Sequence, residues 1–313
     1  VQLMPRAPLR APVARASQPQ QLDDDAAALL AEAEGDVGKA QTSFIGYTLA
    51  YLQSEQPEMY EAIKADPKRP ECHAALVEIT WDAVAAFLPV THSPVPTPAS
   101  AKKLTAIARA ACGDTNPEPR VLDVGCGNGL LVPFLASCGA SASDYLGIDL
   151  SSRMIEVAKK SYGEKAIFDD VSFDAFAGKA AVDEHGPRFD AIVFNGALQF
   201  FADPAATIVD AAALLSESSE SRIVLAHLSG ADFVRQEMAQ NPNTVRSVMP
   251  SLAELQKIAS SAALQVVIPS FFGTEVEQIE TSLETFYLIV LRKGSGDQTS
   301  ESDFSSYVPQ IGP

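Results

Sequence analysis

Val121-Leu122-Asp123-Val124-Gly125-Cys126-Gly127-Asn128-Gly129 runs directly into Leu130-Leu131-Val132-Pro133-Phe134-Leu135. The first four residues read as a buried strand, the last six as the opening of a helix, and the glycines between them as a sharp turn. A turn of this kind needs backbone angles and a close ligand approach that a side chain would block. The glycines fall at alternate positions, and Leu130 stands where a dinucleotide fingerprint requires its third glycine. That departure weakens a nicotinamide-cofactor reading.

Working outward, the next strand-like run is Tyr145-Leu146-Gly147-Ile148-Asp149-Leu150-Ser151, whose acid lies 20 residues beyond Gly129. An acid at the end of a second strand is placed to accept hydrogen bonds from both hydroxyls of a ribose. Ser151 then predicts a cap for the helix that carries Met154. Further strands are expected at Ala166–Phe168, Ala191–Phe194, Arg222–Ala226, Gln265–Pro269 and Phe286–Leu291, with helices near Leu130–Ser137, Ser152–Ser161, Pro204–Leu215 and Ser251–Ala262. Alternation of this kind predicts an α/β fold: a doubly wound, mostly parallel sheet with helices on both faces.

Strand, glycine turn, helix, strand and terminal acid together resemble the class I S-adenosylmethionine-dependent methyltransferases over about Arg120 to Arg292. The resemblance implies a seven-stranded sheet whose last strand, here Phe286–Leu291, is antiparallel. S-adenosylmethionine is the implied cofactor. Gly125, Cys126, Gly127 and Gly129 would face its methionine part, Asp123 would order the loop and the amino group, and Asp149, Leu150 and Met154 would line the ribose side. The acid after the third strand reads the adenine amino group in this family. Asp170, followed by Val171, and Asp174 both fit, and Asp170 is favoured because Ile167-Phe168 leads directly into the acidic turn.

The fourth strand ends in Asn195-Gly196-Ala197-Leu198-Gln199. The resemblance puts Asn195 beside the sulfonium and Gln199 where many small-molecule members carry a histidine, so a residue that takes up no proton replaces a possible base. After the fifth strand, His227 is placed to act as a base or to orient a substrate. Gln199 and His227 are thus the catalytic candidates. His73, His92 and His185 have no partners that the sequence identifies.

Before this unit, Asp23 to Leu88 predicts three or four helices with breaks at Gly35, Pro57, Pro67 and Pro70. Phe44, Ile45, Thr48, Leu49 and Leu52 mark a helical stripe, and Asp23 to Asp25 are read as the first helix's cap and favourable charge. Phe44, Tyr47, Tyr51, Trp81 and Phe87 are aromatics able to line an acceptor pocket if these helices cover the carboxyl edge of the sheet. The four prolines of Pro89 to Pro98 predict an extended linker. The expected division is therefore 1–22 disordered, 23–98 helical extension and linker, 99–293 cofactor-binding domain, and 294–313 a disordered tail.

Residues 1–22 carry Arg6, Arg10 and Arg15 and no acid, a composition that resembles the end of an organelle transit peptide, with a plastid favoured; otherwise the expected location is cytoplasmic. The formal charge of the 313 residues is −17, a field that repels polyanions, so a nucleic-acid substrate is disfavoured. No apolar run reaches the length of about 18 residues that a membrane span needs, and the chain is expected to be soluble. Cys72, Cys112, Cys126 and Cys138 show no metal-binding spacing, so no structural metal and no disulfide framework is expected.

Methyl transfer from a sulfonium asks the protein mainly to align nucleophile, methyl and sulfur and to exclude water. Few residues then need to be chemically special, and the identity of the acceptor leaves little trace. Asn195-Gly196-Ala197-Leu198 stands where amino-methylating members of the family often carry an Asn-Pro-Pro-Tyr run, which makes a small molecule the default acceptor. The alternatives are a noncatalytic partner-binding protein on the same scaffold, docking through its N-terminal helices, and a nicotinamide-dependent dehydrogenase, which the glycine spacing disfavours.

Overall fold

The computed structural model describes residues 19–91, 95–113, 118–181 and 188–294. Its centre is a seven-stranded sheet in the order β3-β2-β1-β4-β5-β7-β6, built from β1 Val121–Val124, β2 Tyr145–Asp149, β3 Ile167–Asp170, β4 Ala191–Asn195, β5 Arg222–His227, β6 Leu264–Val267 and β7 Tyr287–Lys293. β1 to β5 are parallel, and β7 runs antiparallel to both β5 and β6. The expected antiparallel final strand is therefore present. β1 and β5 are buried throughout and β4 up to Asn195, as central parallel strands covered on both faces must be.

Strand order reverses between β1 and β4. Right-handed crossovers therefore send the helices that follow β1 and β2 to one face and those that follow β4 and β5 to the other. α6 Val132–Ser137 and α7 Ser152–Tyr162 follow β1 and β2, whereas α9 Pro204–Ala213, α10 Gly230–Gln240 and α11 Leu252–Ser261 follow β4 and β5. α8 Phe173–Ala181 precedes β4, and α12 Val276–Leu283 precedes β7. α8, α10 and α12 fall in stretches that the sequence reading left unassigned. α10 shows why: it opens on a glycine at φ +78°, and its core contacts are only Ala231, Val234 and, partly buried, Met238, a stripe too narrow to announce a helix.

Four helices precede the sheet unit: α1 Pro19–Glu32, α2 Val37–Glu55, α3 Pro57–Ala65 and α4 Pro70–Thr91. Three details correct the sequence expectation. α1 begins at Pro19, so part of the segment expected to be disordered is helical and Asp23 to Asp25 lie within the helix instead of capping it; proline is favourable in a first turn because its missing N–H has no partner there. α4 continues through Pro89, which is exposed and inside the last turn of the helix, where a single lost backbone bond is tolerated. Pro98 is the first residue of α5 Pro98–Cys112, capped by Thr97, so the extended linker is shorter than Pro89–Pro98. His92, Pro94, His185 and the tail beyond Gly294 lie outside the described residues.

These four helices are not a separate body. Ala85 and Leu88 of α4 are buried against Met154 of α7, the Trp81 ring meets the Phe200 ring edge-on at 5.7 Å, and His73 Nε2 lies 2.8 Å from the Thr244 carbonyl oxygen. Met154 and Phe200 fall on the segments after β2 and β4, and the Thr244 loop is held beside the latter by the Arg246 amide donating to Gln199 O, so α4 lies over that edge. The other aromatics are placed differently from the pocket expectation. Phe44 and Phe87 pack edge-to-face inside the helical group, while Tyr47 and Tyr51 are exposed, because a four-helix layer this thin spends its large side chains on its own core.

One strand glycine is required by close approach. A Cβ on Gly147 would stand 2.8 Å from Cys126 Sγ, 2.9 Å from Phe168 Cδ1 and 2.9 Å from the Tyr145 hydroxyl oxygen. Gly147→Ala should cost about 1–3 kcal/mol, the usual range for overpacking a core. Chemical denaturation should show it as a lower unfolding midpoint at unchanged slope.

Candidate active site

The first strand hands over to the glycine loop at Gly125, Gly127 and Gly129, with φ values of +69°, +53° and +78°. The Gly125 and Cys126 amides donate to Ile148 O, which folds the loop back onto the end of β2. A Cβ on Gly125 would lie 2.6 Å from Ala197 Cβ, so the loops after β1 and β4 touch across the topological switch point. Above Gly127 a Cβ would meet no atom within 4 Å. The loop therefore presents its bare backbone to open space at the place where doubly wound sheets bind ligands.

Asp149 holds this arrangement. Its Oδ2 accepts from the Gly127 amide at 2.8 Å and its Oδ1 from the Ser151 amide at 2.9 Å, leaving further lone pairs on both oxygens. Ser151 caps α7 by accepting from the Met154 amide, and its hydroxyl donates to Asp82 Oδ1 at 2.6 Å. Asp82, 3% exposed, comes from α4. Neither Asp82 nor Tyr145 was singled out from sequence. An acid set inside the apolar face of a helix, Trp81-Asp82-Ala83, is the signal that could have found Asp82.

Asp123 is buried, and its Oδ2 accepts from the Tyr145 hydroxyl at 2.8 Å. Burial pushes its pKa up to about 7, against the opposing Tyr145 bond and with help from the Asp149 charge. Burial likewise raises Asp149 to about 6, opposed by the Ser151 and Gly127 amides and reinforced by Asp82. Asp82 itself is raised by burial. Three buried carboxyls, with Asp82 raising Asp149 and Asp149 raising Asp123, form a site that welcomes a cation, and the sulfonium and ammonium of S-adenosylmethionine are cations. Because the folded pKa values of Asp123 and Asp149 lie above unfolded ones near 4, these two groups withdraw stability as pH rises through about 4 to 7.

The remaining sequence candidates divide into two groups. Asp170 ends β3 in register with Asp149, with Val171 next to it, whereas Asp174 sits exposed in the first turn of α8. Asn195 and His227 end β4 and β5, and Leu150 follows Asp149, so the carboxyl edge gathers all of these. Met154 and Cys126 point elsewhere. Met154 is buried with Ala85 and Leu88, and the Cys126 sulfur packs toward Gly147 with its pKa raised by burial.

His227 is 7% exposed and stacks on Phe233 with ring centroids 5.5 Å apart. Its Nδ1 accepts from the Ser229 amide at 3.2 Å, which leaves the proton on Nε2. Burial, then the Lys103 charge, lowers its pKa to about 4. At neutral pH it is an uncharged ring whose remaining function is to donate from Nε2. Gln199 is buried in the turn Leu198–Phe200 and donates from Nε2 to Gly196 O at 3.1 Å.

Sheet order, switch-point loop and edge acids define a class I methyltransferase, and the family model described as a methyltransferase domain matches residues 115–283, more than half of the chain. The chain belongs to this methyltransferase family, whose methyl donor is S-adenosylmethionine. It is 26% identical to the ubiquinone biosynthesis O-methyltransferase of Nitrosomonas europaea over 246 residues, covering 74% of this chain and 98% of the relative. It is 31% identical to the enzyme of the same name from Aromatoleum aromaticum over 156 residues, 49% of this chain and 59% of the relative. Among solved structures, an O-methyltransferase family protein from Burkholderia thailandensis aligns over 80% of this chain and 71% of its own at 13% identity, with a TM-score of 0.48. These relatives are bacterial and lend no support to a plastid address. No described helix is long and apolar enough to cross a membrane.

Asp149→Ala should weaken S-adenosylmethionine binding by about 2 kcal/mol, the scale of hydrogen bonds to a charged group. In the unaltered protein, affinity should fall as pH drops through about 6, because a protonated Asp149 loses acceptor capacity. Isothermal titration between pH 5 and 8 measures both. Gly127→Val should abolish binding while leaving the fold, since its branches enter the open space above the loop and strain a positive φ.

Proposed function

We propose that the protein methylates a hydroxyl group of a small molecule. The observation that carries this reading is the cover over the carboxyl edge: α4 is tied to the cofactor side through Asp82 and Ser151 and to the segment after β4 through Trp81 and Phe200. A roofed site of this kind suits a compact acceptor and excludes water from the transfer. The strongly acidic chain argues against a polyanionic one. The O-methyltransferase names of the relatives support oxygen as the methylated atom.

When bound, the cofactor supplies a methyl group already activated by sulfonium. In this reading the free lone pairs of Asp149 receive both ribose hydroxyls, and Asp170, in register beside it, receives the adenine amino group, which its position favours over Asp174. The backbone of Gly125 to Gly129 lies against the methionine part, and Asn195 closes the sulfonium end. His227 orients the acceptor by donating from Nε2; its low basicity and occupied Nδ1 disfavour proton removal. Residues 70–91 act as the roof.

Binding of S-adenosylmethionine and S-adenosylhomocysteine followed by a methyl-acceptor screen of small phenols, catechols, amines and thiols tests the reading. Hydroxyl compounds should be methylated and amines and thiols should not; the reverse preference would overturn it. Trp81→Ala, which removes the ring over Phe200, should raise acceptor KM by about tenfold, the effect of losing an aromatic contact worth ~1 kcal/mol plus its burial. Cofactor affinity should change less than twofold.

A further inference from the structure

Three buried oxygen atoms near the end of β4 have no hydrogen-bond donor: Asn195 Oδ1, Gln199 Oε1 and Glu237 Oε2. Gln199 is 2% exposed, so its amide has no solvent to turn to. Glu237 lies on α10 one helical turn beyond Phe233, the residue stacked on His227, and the Gln199 amide lies beside its carboxyl. Asn195, Gln199 and His227 meet around Gly196, and Glu237 joins them through Gln199. Gly196 follows Asn195, its carbonyl accepts from Gln199 Nε2, its amide donates to Ala226 O, and a Cβ on it would stand 3.8 Å from His227 Cδ2.

All three unmet atoms are acceptors. An unsatisfied buried acceptor costs about 1–3 kcal/mol, so a group of them persists where a ligand brings donors. An anionic acceptor group would be set against these three oxygens. A hydroxyl finds a partner, and a second adjacent hydroxyl finds another. Burial holds the Glu237 carboxyl above its ordinary value, with Gln199 opposing, which strengthens it as a proton acceptor. The charged and titratable groups on the surrounding elements are engaged elsewhere: His227 Nδ1 with Ser229, His73 with Thr244 O, Arg246 with Lys68 O, and Arg235 with Asp232 and Glu284.

The geometry points to a subsite in which Asn195, Gln199 and Glu237 receive an uncharged acceptor bearing two neighbouring hydroxyls, with Glu237 taking the proton of the one that is methylated. This rests on the hydroxyl-methylation reading above. The oxygen–methyl bond forms as the methyl–sulfur bond breaks, the bond's electron pair stays on sulfur, and the hydroxyl proton passes to the Glu237 carboxylate and then to water. Charge balances, since sulfonium and carboxylate are neutralised together. Glu237 thus fills the role that Gln199, in place of a histidine, leaves vacant.

Catechol and its dimethyl ether are the probes, titrated calorimetrically into the protein saturated with S-adenosylhomocysteine. Catechol should bind at least tenfold more tightly than the ether, which has the same ring but no donor, and Glu237→Gln should remove most of that preference while leaving S-adenosylhomocysteine affinity within twofold. Turnover with catechol should fall by about 10²- to 10⁴-fold in Glu237→Gln, the range for loss of a general base. Glu237→Asp, which keeps a carboxylate, should retain the acid limb of the pH–rate profile at a reduced rate and serves if the glutamine variant fails to fold. Equal affinity for catechol and its ether overturns the subsite. So does a Glu237→Gln variant that methylates within threefold of the parent, as expected if Glu237 is simply protonated and bonded to Gln199. If the parent methylates amines or thiols in place of hydroxyls, the underlying functional reading fails instead, a result that the acceptor screen separates from these.

Discussion

The Asp149 carboxylate is the interaction on which the site depends. With one oxygen it fixes the glycine loop through the Gly127 amide, and with the other it fixes the start of α7 through the Ser151 amide. Ser151 extends the chain of bonds to Asp82, so the roof helix is attached to the same carboxylate by two hydrogen bonds. Buried hydrogen bonds to an ionised group are short and directional, which lets one side chain set the positions of loop, helix and cover together. The arrangement is electrostatically unfavourable to negative charge, because the Asp82 charge raises Asp149 and the Asp149 charge raises Asp123 on top of burial. A cationic cofactor relieves that, and affinity gained in this way is specific to positive charge.

Division of labour along the sheet edge follows from strand order. β1, β2 and β3 on one side of the switch point carry acids, and β4 and β5 on the other carry Asn195 and His227. In the proposed reading the acidic half receives donors and positive charge, and the other half faces the reacting end, where these side chains align an acceptor. His227 illustrates how environment decides role. In water the imidazole would titrate near neutrality, yet buried against Phe233 and close to Lys103 it stays uncharged, and Ser229 fixes its tautomer.

Much of the cofactor half was legible in the sequence because it rests on local rules. The glycine turn at Gly125 to Gly129, the acid ending β2 and the Ser151 cap each follow from local pattern, whereas the seven-stranded sheet with its antiparallel last strand followed from the family resemblance. Proline placement was legible only in part. Pro57 and Pro70 fall at the expected breaks, where each opens the next helix, but Pro89 is carried inside the end of α4, where tertiary packing of Ala85 and Leu88 against Met154 outweighs one missing backbone bond. The aromatic residues of the N-terminal helices could not be sorted by sequence, since helical spacing does not say which stripe faces its own bundle and which faces the sheet.

The sequence by itself determined the class of fold, the identity of the cofactor loop and the acid that braces it, because these depend on backbone geometry that glycine and capping residues encode over short distances. Only the tertiary structure decided that Asp82 reaches Ser151 across 69 positions, that Tyr145 rather than the loop satisfies Asp123, that His227 is a donor, and that Glu237 and Gln199 leave buried oxygens unmet beside Asn195. The physical reason is that burial and hydrogen-bond satisfaction are properties of the packed whole. An acid or amide looks the same in a sequence whether water, a neighbouring hydroxyl or nothing at all stands beside it.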